Sequence, residues 1–180
     1  MIIETERLVI RPLKKTDFLD YHNLNSDQRN FEFELSQPCS IDESEIRFNS
    51  WLERNLEFDG QIGTTEFCIE DRGEKKLIGV ISGLYRDLNS KILEIGISIS
   101  YDHRNKGYGF EALTAYIAYA FSTVNIHRIF ASTDTRNAAC IRLLEKLNMT
   151  KEGILRKNVL MPDAKYYDEV LYSILFDDLA

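Results

Sequence analysis

Apolar and polar residues alternate through IIETERLVIRPL, so Ile2 to Ile10 reads as one strand, stopped by Pro12, which has no N–H for a ladder. Thr16 or Asp17 then offers a helix cap, and Phe18, Tyr21 and Leu24 fall along one side of the helix that follows. Ser40 and Glu43 have capping-box spacing, and Phe48, Trp51, Leu52 and Leu56 continue from them as an apolar stripe. FEFELSQPC, between these two helices, fits neither period. After the Gly60 to Gly63 loop, TEFCIED and KLIGVISGLY flank the turn-like RGEK at hairpin spacing, and a further strand runs from Ile92 to Ser100.

Downstream, Phe110, Leu113, Ile117, Phe121 and Val124 recur every three or four residues and predict a helix. HRIFAST reads as a strand. Asp134 or Asn137 caps another helix with Ile141, Leu144 and Leu147 on one face, and EGILRKNVLM and YYDEVLYSIL close the chain as two strands. This order predicts an α+β fold in which one mixed, mostly antiparallel sheet is flanked by helices. At 180 residues, with no repeat, low-complexity tract or linker, residues 1–180 are expected to form a single domain.

Composition narrows the function classes. No apolar stretch approaches the ~20 residues that span a bilayer, and the N-terminus lacks a signal-peptide pattern, so a cytoplasmic protein without a membrane partner is expected. Cys39, Cys68 and Cys140 are scattered and odd in number, which fits a reducing compartment and neither a disulfide framework nor a structural zinc. The net charge of −7 argues against a nucleic-acid partner and suits an amine-bearing one. His22, His103 and His127 are isolated, so no metal site is expected.

The chemistry concentrates in ISISYDHRNKGYGFEA, Ile97 to Ala112, where a strand passes through a basic, glycine-containing loop into a helix. Glycines let the backbone approach a ligand closely, and a helix N-terminus presents unpaired N–H groups to an anion. Arg104, Asn105, Lys106, Gly107, Tyr108, Gly109 and Phe110 therefore form a candidate pyrophosphate cradle. Gly107 to Ala112 also satisfies G-x-G-x-x-A, with Asp134 about 20 residues on, as in NAD-binding oxidoreductases. Against that reading, YDHRNK intervenes between strand and glycine, and the unit follows a hairpin instead of opening a parallel winding.

Arg104 to Gly109 resembles the Q/R-x-x-G-x-G/A signature of the GNAT superfamily of N-acetyltransferases. ETERLVIRPL, LEIGISIS, NAACIRLLEKLNMTKEGILR and YYDEVLYSIL extend the likeness over nearly the whole chain. They are similar to the branch of RimJ and RimL type ribosomal-protein N-terminal acetyltransferases and, more distantly, spermidine acetyltransferases. The resemblance implies acetyl-CoA as cosubstrate. Its pantetheine arm would meet the main chain of Ile97, Ser98 and Ile99 where this strand splays from the next, beside Asn137 and Cys140, the latter standing where that branch usually has serine. It also implies a homodimer as a common arrangement, and an amine acceptor, either a protein N-terminus or a small amine such as a polyamine or an antibiotic.

Acetyl transfer needs a neutral amine, so a base must take a proton from an ammonium of pKa about 8 to 10. By resemblance Glu94, at the start of the LEIGISIS strand, is the candidate base. Many relatives protonate the departing thiolate from a helix tyrosine; Leu144 stands there, within an apolar stripe, which leaves Ser98, Cys140 or water as donor, or a thiolate that departs unaided. Trp51, Tyr85, Tyr166 and Tyr167 are aromatic candidates for an acceptor wall, with Tyr85 carried forward, and Asp168 is the candidate partner for a cationic acceptor. Replacement of the tyrosine and serine also fits a protein that binds acyl-CoA and senses it without turnover.

Overall fold

Where apolar residues fall at neighbouring strand positions, as Cys68 with Ile69 and Leu77 with Ile78, both faces of the sheet need covering, and the chain supplies two helices to each face. The computed structural model describes residues 1–57, 63–87 and 89–179. Its elements are β1 (Ile3–Glu4), β2 (Leu8–Arg11), α1 (Phe18–Ser26), α2 (Ile41–Glu57), β3 (Gly63–Asp71), β4 (Lys76–Asp87) and β5 (Ile92–Ile99). Then follow α3 (Tyr108–Ser122), β6 (Arg128–Asp134), α4 (Ala138–Lys146), β7 (Thr150–Leu160) and β8 (Tyr166–Leu175). The strands form one sheet in the order β1-β2-β3-β4-β5-β6-β8-β7, antiparallel throughout except for the β5–β6 pair. The expected α+β fold with one mixed, mostly antiparallel sheet is therefore the observed one.

On one face, Ala112, Leu113, Tyr116, Ile117, Ala120 and Phe121 of α3 and Leu144 of α4 bury against Ile10, Ile69, Ile81, Leu93 and Ile129 of the sheet. On the other, Tyr21 and Leu24 of α1 and Phe48 and Trp51 of α2 pack over Cys68 and Leu77. Phe48 meets Phe18 edge-on at 5.3 Å between ring centres, and the Trp51 indole donates to the Glu66 carbonyl at 3.2 Å, which ties α2 to β3. The capping box forms: the Ser40 N–H donates to Glu43 Oε2 at 2.8 Å, and the Glu43 N–H donates back to Ser40 Oγ at 3.3 Å. Among the described residues no helix is long and apolar enough to cross a membrane.

Two elements differ from their sequence expectation, and the stretch that fitted neither period takes its course as irregular chain. The first strand is two, because Ile3 and Glu4 fold back on Ile10 and Val9. The turn between them closes with Thr5 N–H donating to the Leu8 carbonyl and Thr5 Oγ accepting from the Leu8 N–H, both at 3.0 Å. Val124, expected in the helix after the glycine loop, lies beyond the end of α3. FEFELSQPC forms no helix or strand and crosses the sheet face as irregular chain after the 3₁₀ turn of Gln28–Asn30. The loop expected at 60–63 and the side chain of Leu56 fall outside the described residues, apart from Gly63, which opens β3.

Candidate active site

Parallel pairing of β5 with β6 extends only over Ile92–Glu94 against Arg128–Phe130. Beyond it β5 stays paired with β4 as far as Ile99, while β6 stays paired with β8 as far as Asp134. Each strand is thus held by a different half of the sheet, and the gap between them opens into a cavity of about 490 Å³. Its walls come from both faces of the sheet. Ile97, Leu113, Thr133, Asn137, Cys140 and Leu144 stand on the α3/α4 side, and Ser82, Ser98, Ser132, Glu66 and Glu169 on the α1/α2 side, with Tyr21, Trp51, Phe33 and Glu34 above them. The cavity therefore joins the two sides through the sheet.

On the α3/α4 side, Asn137 caps α4, its Oδ1 accepting from the Cys140 N–H at 3.1 Å. Burial pushes the Cys140 thiol above its ordinary pKa, against a hydrogen bond from Thr133 that pulls it down, so Cys140 is a protonated wall residue at neutral pH. Leu144 is 2% exposed and lines the same wall, an apolar surface with no proton to give. The glycine loop lies at the outer end of β5. Gly107 is the N-cap of α3 with φ +83°, a conformation that favours glycine, and Asn105 is also left-handed at φ 60°. Gly109 sits close against the β5 end, where an added Cβ would stand 3.8 Å from Ile97 and 3.9 Å from Ile99. Arg104 faces inward on the chain itself, its Nε donating to the Ile99 carbonyl at 3.0 Å and its Nη2 to the Asn30 carbonyl at 3.3 Å. Lys106 is exposed.

The α1/α2 side is where expectation and structure part. Glu94 shares a face of β5 with Gly96 and Ser98, which line the cavity, and sits at the last register pair before β5 and β6 separate. Tyr85 does not reach the cavity: it is 6% exposed, in the core beneath α3 on the opposite face of β4. Asp168 does not line it either, because its Oδ1 accepts the Lys157 N–H at 2.9 Å and fastens the β7 bulge. The next residue, Glu169, lines the cavity instead. Its Oε1 accepts from Ser132 Oγ at 3.1 Å and its Oε2 from Asn158 Nδ2 at 2.5 Å. Glu34 comes from the stretch that fitted neither period; surrounding protein pushes its carboxyl above the ordinary pKa, with Arg104 pulling the other way. Tyr167, an aromatic candidate, stacks under the Arg136 guanidinium at 3.5 Å, and Arg136 holds Asp134 below the usual carboxylate range.

The site is thus a sheet parted at one parallel strand pair, with a glycine-capped helix N-terminus at one end of the opening and carboxylates beyond it. Residues 7–150 match the acetyltransferase (GNAT) domain family, and the chain belongs to it. The chain is 33% identical to the [ribosomal protein uS5]-alanine N-acetyltransferase of Escherichia coli, with 98% of this chain and 91% of that one covered. It superposes on the GNAT-family acetyltransferase of Bacillus anthracis with a TM-score of 0.85, at 27% identity and 98% and 99% coverage. It also superposes on the spermidine N-acetyltransferase of Vibrio cholerae in complex with CoA and spermine, with a TM-score of 0.80, at 25% identity and 96% and 98% coverage. The protein is an acyltransferase enzyme acting on amines.

Proposed function

We propose that this enzyme moves the acetyl group of acetyl-CoA directly to a primary amine, foremost a protein N-terminal α-amine, in a ternary complex without a covalent enzyme intermediate. The observation that carries the reading is the cavity through the sheet: a thioester arm entering beside Asn137 and Cys140 and an amine entering beside Glu34 and Glu169 would meet where β5 and β6 part. Acetyl-CoA supplies the activated acyl group, and everything else is the work of the chain. The loop from Arg104 to Phe110 holds the phosphates through backbone N–H groups, and the main chain of Ile97 to Ile99, unpaired on its β6 side, offers hydrogen bonds to the arm and to the carbonyl oxygen on which charge develops. Glu94 accepts the ammonium proton, directly or through water, and Ser98, which lines the cavity, donates one to the departing thiolate. Glu169, rather than Asp168, meets the cationic acceptor.

An α-amine with a pKa of about 8 leaves roughly a tenth of the acceptor neutral at pH 7, so a modest base suffices; a polyamine or lysine near 10 demands more of Glu94. The 33% identity with the uS5-alanine enzyme supports the protein N-terminus. The carboxylates Glu34, Glu66 and Glu169 on one side of the cavity support the small polycation as second reading. On either reading the enzyme works in the cytoplasm without nucleic acid or membrane, and a homodimer is the expected assembly. The test is CoA release with an alanine-starting peptide, the same peptide N-acetylated, and spermidine. Turnover with the free peptide alone supports the first reading, turnover with spermidine alone the second, and none with either overturns both. Glu94→Gln is expected to lower kcat at least about tenfold and to alter the pH profile with acetyl-CoA affinity unchanged; an unaffected rate would remove Glu94 as base.

A further inference from the structure

The turn between β1 and β2 reaches across to the first turn of α3 and to the glycine loop. Glu111 Oε1 accepts from Thr5 Oγ at 2.6 Å and from the Arg7 N–H at 2.9 Å, and Oε2 accepts from Arg7 Nε at 2.7 Å and lies in ion-pair contact with Nη2, also at 2.7 Å. Thus oriented, Arg7 has one nitrogen left, and Nη1 donates to the Lys106 carbonyl at 2.9 Å. Its guanidinium lies 4.6 Å from the centre of the Tyr108 ring, and Tyr108 hydrogen-bonds Asp71. The Lys106–Gly107 peptide is thereby gripped from outside the loop. In a planar trans peptide the C=O of one residue and the N–H of the next point in opposite directions. Holding the Lys106 carbonyl outward therefore turns the Gly107 N–H inward, and that N–H donates to no acceptor among the described residues.

We infer that Arg7, oriented by Glu111 and Thr5, is a positioning residue for the coenzyme: it fixes the Lys106–Gly107 peptide so that the Gly107 N–H faces the coenzyme phosphates. The inference rests on the phosphate reading of the loop proposed above. It assigns to the N-terminal hairpin a part in coenzyme affinity although neither strand of that hairpin borders the cavity. Arg7 acts through geometry and not as a free charge, since Glu111 neutralises it. The guanidinium fork is needed because one side chain must face the carboxylate with Nε and Nη2 and bond the carbonyl with Nη1, which a lysine ammonium on a flexible stem does poorly.

The experiment compares acetyl-CoA, and its product CoA, with a substrate that has the same thioester arm and no phosphates, S-acetylpantetheine, in the wild type and in Arg7→Gln, Arg7→Lys and Glu111→Gln. For all three variants the Kd of CoA, by calorimetry, is expected to rise about tenfold or more, equivalent to about 1.4 kcal/mol, while kcat/KM with S-acetylpantetheine stays within about twofold of wild type. Unchanged CoA affinity in Arg7→Gln would overturn the inference, and so would an equal loss on both substrates, which marks general destabilisation. Recovery in Arg7→Lys, or tighter CoA binding in Glu111→Gln, would make Arg7 a phosphate charge partner and overturn the positioning role. A wild type that uses both thioesters equally well would overturn the phosphate reading of the loop, and the inference with it. Should Arg7→Gln fail to fold, Glu111→Gln carries the same comparison.

Discussion

Asp168 and Glu169 are neighbours on one strand, and the period of two turns their carboxylates to different work. Glu169 is paired across the ladder with Asp134 and reaches Ser132 and the cavity, whereas Asp168 holds the Lys157 amide. We expect Glu169→Gln to raise the KM for the amine about tenfold, from loss of an ion pair inside a cleft, with the Kd of acetyl-CoA unchanged. Asp168→Asn should leave the KM near wild type and lower the Tm. Steady-state kinetics with the amine varied, beside a melting curve, separates the two, and a larger KM effect in Asp168→Asn would reverse the assignment. The acidic pair itself was legible in YYDEVLYSIL; which member lines the cavity was not, because that depends on the register of β8 against β6, set by residues far away in sequence. Glu34 was hidden for a different reason. FEFELSQPC fits neither period, and Phe31, Phe33 and Glu34 line the cavity from irregular chain, whose course no local period encodes.

At the scale of elements, what the alternation and the helical stripes announced exists, because burying one face is a local demand that the pattern records. Breaks in an element are less legible. Ile2 to Ile10 alternates without a glycine or proline, yet it turns at Thr5 to Arg7, where the threonine hydroxyl and backbone close the turn and Glu111, more than a hundred residues on, binds its outer side. The far edge of the sheet shows a similar long-range tie. Arg128 of β6 donates two bonds to Glu152 of β7, both at 2.7 Å, and Ser173 of β8 donates a third, also at 2.7 Å. Led by Arg128, these bonds lower the Glu152 pKa from its ordinary value to about 2. A carboxylate depressed in the folded state adds stability above its unfolded pKa and loses it as the pH falls through the folded value. Glu152→Gln should therefore lower the Tm at pH 7 by no more than about 4 °C, since the pair is partly solvent-screened. That difference from wild type should shrink as the pH falls from about 4.5 towards about 2. A difference constant over this range in thermal melts would show that packing, and not charge, holds the three strands.

For the molecule as a whole, the parted sheet makes the site its seam. The β1–β5 half and the β6–β8 half share three parallel register pairs, and the cavity occupies the line along which further pairs would form. On the proposed route a thioester arm laid there would restore part of the missing ladder, and binding would then tie the two halves together. A ligand bound only by the folded state adds RT ln(1 + [L]/Kd), about 2.7 kcal/mol at a hundred times Kd, which for a domain of this size is a rise in Tm of about 5 to 11 °C. The rise alone would not locate the ligand, but hydrogen exchange does. Between Ile95 and Ile99, successive amides point alternately to β4 and to the opening, so acetyl-CoA should slow the set facing the opening and leave the β4-facing set nearly unchanged. NADH, lacking the arm, should do neither even if its pyrophosphate occupies the glycine loop. Slowing of both sets together would mean general stiffening of the sheet. Slowing confined to the first turn of α3 would mean that the loop binds phosphate while the arm lies elsewhere, and the route through the sheet would have to be abandoned.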